Sequence, residues 1–200
     1  MKMTDRKTDG ENKPKTPAAN GKTDDERDWM SAQPGALIGH IIETHHVYLR
    51  NELPRLAQMA TKVAETHAER HGGSLVPLRD TFLELKSELE SHMWKEEMVL
   101  FPLVRGLEEA AAAGTKAPPA HCGSVNNPIR VMEQEHQTAE QTLEEMRRIT
   151  GNYTLPDDAC DTYRALFHGL AELEADLRRH IHLENNILFP RSSRLEASLM

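Results

Sequence analysis

Residues 91 to 102, SHMWKEEMVLFP, and residues 179 to 190, RHIHLENNILFP, are two versions of one line. Aligned without gaps, they set His92 over His180 and Glu96 over Glu184. Leu100, Phe101 and Pro102 fall over Leu188, Phe189 and Pro190. A repeat of this kind constrains the fold before any local signal does, because both copies must serve the same structural purpose. Histidine and glutamate four residues apart lie one turn apart on one face of a helix. An imidazole nitrogen and a carboxylate can then reach a single metal centre from one rigid element. One such pair is a weak sign, whereas two with matching apolar flanks are a strong one.

The duplication extends beyond the line itself. Leu78, Phe82, Leu85, Leu89, His92, Glu96, Val99 and Leu103 form the apolar stripe of a helix expected to start after Pro77 and to end before Gly114. At an offset of 88 it overlays a second stripe, with Phe82 over Leu170, Leu85 over Leu173 and Leu89 over Leu177. That second helix follows Thr154-Leu155-Pro156, continues past Ile187 and Pro190, and is expected to fray into a ragged C-terminus. Two further stripes match at an offset of 90, with Ile42 over Met132, His46 over His136, Leu49 over Ala139, Leu53 over Leu143 and Leu56 over Met146. The first of these opens near Pro34, is expected to kink or turn at Pro54, and stops at Gly72-Gly73. Its counterpart runs from Pro128 to Gly151. No segment alternates with period two. The expected fold is all-α, two helical hairpins of one design packed as an up-down four-helix bundle.

Composition sets the boundaries. Residues 1–28 hold seven basic and seven acidic residues and almost no large apolar side chains, so a disordered polar tail is expected there, with the bundle domain over 29–200. The remaining chain carries the whole net charge of −8. A negative body without a basic block disfavours nucleic acid and anionic membranes as partners, and no apolar run reaches the length of a membrane span. The N-terminus has no apolar signal segment, so a cytoplasmic location is expected. Cys122 and Cys160, far apart in sequence, read as reduced thiols.

Six polar residues occupy positions that neighbouring turns fill with Leu, Ile, Phe or Met: His46, His92, Glu96, His136, His180 and Glu184. A buried carboxylate without a partner costs several kcal/mol and protonates instead. Two carboxylates and four imidazoles facing one another call for cations. The count gives each of two metals two nitrogens, with both carboxylates free to bridge and positions left for an oxo or hydroxo bridge and an outside ligand. No thiolate lies on these stripes, and mixed nitrogen and oxygen ligation suits iron best, with manganese second. Helical phase admits either His45 or His46. The repeat selects His46, because it falls over His136 while His45 falls over Glu135, leaving His45 as an outer group.

Glu88 and Glu135 flank the histidines and are candidates for a third carboxylate or for acceptors behind the ligands, with a solvated surface position as the commoner fate. His67 and His71 form a pair one turn apart near a helix end, at most an adventitious metal site. His40, His168 and His182 read as packing or surface residues. His121-Cys122 reads as part of a polar loop, and Trp94 as packing.

The paired HxxxE and LFP motifs, the VMEQEH of Val131 to His136 and the HLENNILFP of His182 to Pro190 resemble hemerythrin-like proteins, most closely the bacterial family for repair of iron centres. The likeness covers about residues 34 to 190. It implies a non-haem di-iron centre with His46, His92, His136 and His180 as nitrogen ligands and Glu96 and Glu184 as bridges. It also implies restoration of damaged iron–sulfur clusters by donation of iron to iron–sulfur proteins, with nitric oxide binding as a related activity. Many members carry a short helical domain with adjacent cysteines before the bundle, where this chain has a polar tail. Three classes of function are therefore in view: an iron donor for cluster repair, a binder or sensor of nitric oxide or dioxygen, and an enzyme reducing nitric oxide or peroxide.

Overall fold

In a computed structural model that describes residues 29–119 and 121–200, the described residues form helices and loops with no strand. The tail expected over 1–28 lies outside the described residues. Helix α1 (Pro34–His40) starts with its proline in the first turn, and the Gly35 N–H donates to Glu108 Oε2 at 2.9 Å. It passes through a π turn, Ile41–His46, into α2 (Val47–Thr66). Pro54, where the sequence suggests a kink or a change of direction, sits inside α2, and the helix runs on past it to Thr66.

The next boundary differs from the sequence expectation. The break comes at His67 (φ −109°, ψ 17°), and α3 (Ala68–Lys95) follows at once, so Gly72, Gly73 and Pro77 lie within a helix and not before it. The His67 carbonyl accepts from the N–H groups of Arg70 and His71 at 3.2 and 2.9 Å, which closes the turn without a loop. The ring and missing N–H of Pro77 fall on Gly73, four residues back, where the backbone has most freedom to yield. Burial of Leu75 and Leu78 stabilises the extra turns.

Helix α3 continues through a second π turn, Glu96–Leu100, into α4 (Phe101–Ala113), which Gly114 ends in the left-handed region at φ 65°. Helix α5 (Asn126–Thr150) stops the same way at Gly151, φ 57°. Helix α6 (Asp161–Leu183) begins later than Pro156 suggests, with Tyr153 and Leu155 of the preceding loop packed against the core. A third π turn, Glu184–Leu188, leads into α7 (Phe189–Ser198). The C-terminus is thus helical to Ser198 and not ragged, because Ser192 and Glu196 turn inward and find partners.

These segments make four rods in an up-down bundle. Helix α2 packs on α3 and α6, α3 packs on α5, and α5 meets α6, while α1, α4 and α7 meet at the other end. The repeated stripes face inward: Phe82, Leu85, Leu89, Leu170, Leu173 and Leu177 are all buried. The apolar core is in two parts. One runs from Leu49 to Met93, with Ala139 to Met146 and Leu166 to Ile181. The other joins Leu37, Ile41, Phe101, Val104, Met132 and Phe189. The six polar residues lie between them along every rod.

The π turns correct the predicted stripes. Val99 is 40% exposed, and Ile42, Leu103 and Ile187 are only partly buried, while Ile41, Leu100, Phe101, Val104, Leu188 and Phe189 take the core positions. In each π turn an N–H reaches back five residues: Val47 to Ile42, Phe101 to Glu96, and Phe189 to Glu184. One extra residue rotates the face that follows by about 100°. Among the described residues, no helix is long and apolar enough to cross a membrane.

At the far end, Glu196 caps a helix it does not belong to. Its carboxylate accepts from the Val125 N–H at 2.8 Å and from Ser124 Oγ at 2.6 Å, at the N-terminus of α5. Replacing Glu196 with Ala strands these donors and is expected to lower stability by about 1–3 kcal/mol. Urea unfolding of the two proteins checks this, and Glu196→Gln should lie between them.

Candidate metal centre

All six sequence-predicted residues converge in the layer between the two cores. His46 ends the first π turn, His92 lies in the last turn of α3, and Glu96 opens the second π turn. His136 comes from α5, His180 from the last turn of α6, and Glu184 opens the third π turn. None is more than 4% exposed. Widened turns carry the ligand positions in three of the four rods, which lets an HxxxE pair and the LFP that follows both face inward.

The geometry sorts these residues into two nests. His46, Glu96, His180 and Glu184 bring one ligand atom each to within 4.8 Å of one another, as do His92, Glu96, His136 and Glu184. Both carboxylates belong to both nests, and each divides its oxygens. Glu96 sets Oε2 at 3.3 Å from His46 Nε2 and Oε1 at 3.4 Å from His92 Nε2. Glu184 sets Oε1 at 3.1 Å from His180 Nε2 and Oε2 at 3.1 Å from His136 Nε2.

Despite those distances, none of the four carboxylate oxygens accepts an aligned hydrogen bond, and His46 Nε2 and His180 Nε2 likewise have no partner. Other buried acids of the same bundle behave differently. Glu174, 1% exposed, accepts from Arg147 Nε at 2.7 Å, Arg178 Nε at 3.0 Å and the Tyr153 hydroxyl at 3.0 Å. Glu196 is satisfied by backbone and hydroxyl donors. The fold supplies donors to both oxygens of Glu174 and Glu196 and to one oxygen of Asp176, and to none of the four here. His92 Nε2 and His136 Nε2 lie 3.1 Å apart, and the remaining lone pairs converge on shared points without a partner, an arrangement that fits a pair of cations.

Behind the nests, the Nδ1 atoms of three histidines have fixed partners. His46 Nδ1 is 2.6 Å from Glu97 Oε1, His92 Nδ1 is 2.9 Å from Glu135 Oε2, and His136 Nδ1 is 2.8 Å from Asn185 Oδ1. Such partners fix the tautomer that leaves Nε2 free for a cation. Glu97 is also bound by Arg50 at 2.5 Å, and Glu135 by Lys95. Burial raises the Glu97 pKa, but hydrogen bonds from His46 and Arg50 outweigh it and hold the carboxyl below the usual range. The hydrogen bond from His92, with that from Lys95, holds Glu135 low against the opposing effect of burial.

Of the three fates the sequence allows Glu135 (a third carboxylate, an acceptor behind a histidine, a surface position), the structure shows the acceptor, behind His92. Glu88 is exposed and lines a pocket of about 320 Å³ with His92, Lys95, Glu135, His136 and Ala139. Glu97 and Asn185 were missed, although the repeat sets one over the other: each follows its glutamate by one residue and takes the imidazole of a neighbouring rod. His45 is fully buried, with Nδ1 at 3.0 Å from Asp176 Oδ1.

The remaining candidates stand apart. His67 Nε2 is 3.2 Å from Cys160 Sγ, and His71 pairs with Asp158 at 2.9 Å. His168 and His182 are exposed, His40 stacks on Trp29 at 4.5 Å, and Trp94 is 60% exposed. Cys122 and Cys160 are free thiols.

Comparison with known proteins agrees with this geometry. The family described as hemerythrin HHE cation binding domain matches residues 37–192. A protein of Dickeya chrysanthemi named iron-sulfur cluster repair protein YtfE is 42% identical over 171 residues, covering 86% of this chain and 71% of the relative. Proteins of the same name from Cronobacter sakazakii and Escherichia coli O81 are each 42% identical, covering 88% and 84% of this chain and 73% and 70% of theirs.

Without a metal, protons must supply the positive charge. Burial lowers the His92 pKa, but Glu96, the hydrogen bond to Glu135 and the charge of Glu184 outweigh it and raise it to about 10. His46 is raised by Glu96 and Glu97 against burial. Burial raises the Glu184 pKa, and His180 and His136 hold it well below its usual value. A histidine raised above its unfolded pKa of about 6.5 contributes stability below that pH and loses it as pH climbs through the folded pKa. A depressed glutamate contributes above about pH 4.5 and loses it as pH falls. Metal-free protein is therefore expected to be most stable between about pH 4.5 and 6.5, and to lose on the order of a few kcal/mol towards pH 10. Thermal unfolding against pH checks this, and metal-loaded protein should lack the alkaline loss because cations replace the protons.

Proposed function

This chain belongs to the hemerythrin HHE cation binding domain family, and from that membership we propose that it carries two non-haem iron ions and supplies iron for the repair of damaged iron–sulfur clusters. His46 and His180 hold one ion, His92 and His136 hold the other, and Glu96 and Glu184 bridge them. The observation that carries this assignment is the pair of buried carboxylates whose four oxygens have no protein donor and are divided between two histidine pairs. The relatives' name, iron-sulfur cluster repair protein, points to the use made of the metal.

The donor set supports delivery more than permanent storage. Two nitrogens and two shared carboxylates per ion form an incomplete shell for iron, and no thiolate joins it. Bound iron supplies Lewis acidity and an open coordination position. The chain's own residues exclude bulk water and, through the partners of Nδ1 on His46, His92 and His136, aim Nε2 at the ion. The pocket beside His92 and His136 gives solvent a route to one side of the site. Iron leaving by that route would pass Glu135 and Glu88, carboxylates suited to a cation, and its recipients would be iron–sulfur proteins short of metal. The same pocket favours a second reading, in which a diatomic molecule such as nitric oxide or dioxygen reaches the open position and the protein binds or senses it without repair.

Replacing either Glu96 or Glu184 with Ala removes one oxygen from each nest. Metal analysis is expected to fall from two irons per chain to well below one for both variants, with the helical circular dichroism retained. Two irons and an unchanged optical spectrum in either variant would remove that residue from the site. Iron release from the loaded protein should quicken at least about ten-fold when an apo iron–sulfur protein is added, with clusters appearing in the acceptor, an increase corresponding to about 1.4 kcal/mol of barrier. Release that ignores the acceptor, together with tight uptake of nitric oxide, would favour the second reading.

A further inference from the structure

The two halves of the repeat treat their outer positions differently, and this makes the two metal positions unequal. Glu135 precedes His136 and accepts from His92 Nδ1. Its counterpart in the other hairpin is His45, which precedes His46 and stands against His180 with the rings parallel to within 4° and their centroids 5.3 Å apart. Glu88, four residues before His92, has as its counterpart Asp176, four residues before His180. Glu88 and Glu135 line the open pocket. His45 is 0% exposed, Asp176 is 8% exposed, and the two are bonded to each other at 3.0 Å. His180 is the one ligand histidine whose Nδ1 has no hydrogen-bond partner.

We propose that His45, fixed by Asp176, is a positioning residue for His180 and seals that half of the centre, so that iron held by His46 and His180 is the slowly exchanging ion. An imidazole without an acceptor at Nδ1 keeps freedom to rotate about its side-chain bonds, and a flat ring packed face to face against it removes that freedom. His45 is itself held on two sides, by Asp176 and by the edge of His40 at 5.8 Å. On the opposite side Phe189 stacks on His136, but the position equivalent to His45 holds Glu135 in place of a ring, and the pocket reaches both His92 and His136. The proposal rests on the di-iron reading above but not on iron donation.

The test loads full-length protein with iron-57 and follows its release to a small-molecule chelator. Wild-type protein should release one iron quickly and one slowly. His45→Ala should speed the slow phase by about 10–100-fold, the usual effect of removing a group behind a ligand, and leave the fast phase unchanged. Its Mössbauer spectrum should change for one iron only. The double variant His45→Phe, Asp176→Asn keeps a ring against His180 without stranding a buried charge, and should restore the slow phase. A single release phase in wild-type protein, equal acceleration of both phases, or no change in His45→Ala would each overturn the proposal. Loss of one iron that Phe does not restore would overturn it too, by making His45 a ligand. A protein that shows the expected phases yet transfers no iron to an acceptor would sink the donation reading and leave this one standing.

Discussion

The bundle depends on one electrostatic arrangement: two carboxylates at zero exposure, facing four imidazoles, with no protein donor for any of their oxygens. Buried ions cost several kcal/mol each when taken from water, and attraction returns that energy only with good geometry. Elsewhere the chain meets this requirement with arginine, tyrosine and backbone N–H groups, as at Glu174 and Glu196. Between the two cores it uses only imidazoles, which lose their charge when they lose a proton. Positive charge at this layer is therefore removable, as protons or as metal, whereas a guanidinium would make it permanent.

Duplication explains how four rods bring six inward side chains to two points. Each hairpin contributes one rod with a single histidine and one with an HxxxE pair, and adjacent rods complete each other. Glu97 fixes His46 from the rod beside it, and Asn185 fixes His136 in the same way. The widened turns after Glu96 and Glu184 are part of the same geometry. A regular helix carrying the pair inward would turn Val99 and Leu103 to the core. The π turn turns Leu100, Phe101 and Val104 there, and Phe101 then lies against His46, just as Phe189 stacks on His136. The repeated LFP is thus the lid of the site on its second-core side, and the proline after it sits in the first turn of the new α segment, where an absent N–H costs least.

The fold class and all six inward residues were legible in the sequence because both rest on periodicity and duplication, which survive local irregularity. The choice of His46 over His45 came from the repeat alone, and the first π turn shows why phase could not decide it: a widened turn lets consecutive histidines both be buried. Helical phase assumes about 3.6 residues per turn, so it misplaces stripe residues in and just after the second and third π turns, as with Val99, Leu103 and Ile187. The start of α3 was hidden for another reason. Glycine and proline report local preference, and here packing of Leu75 and Leu78 and the backbone turn at His67 override it. Partners such as Asp176 for His45 join residues 131 positions apart, and no local pattern carries that information.

Imperfect symmetry makes the two faces of the histidine and glutamate layer unequal. A perfectly duplicated bundle would hold two equivalent ions and open equally on both faces. Here the residue before the single histidine is Glu135 on one side and His45 on the other, and four residues before the paired histidine stands exposed Glu88 or buried Asp176. The acidic pair remains solvated and can accompany a cation, with Lys95 tempering its charge. The His45 and Asp176 pair is buried, its members bonded to each other, with His45 packed against His180. Burying a carboxylate is costly, and a hydrogen bond from an imidazole reduces that cost enough to let a ring take the place of solvent. One substitution at each of two repeat positions therefore converts an open face into a closed one, without altering any of the six groups that face the metal layer.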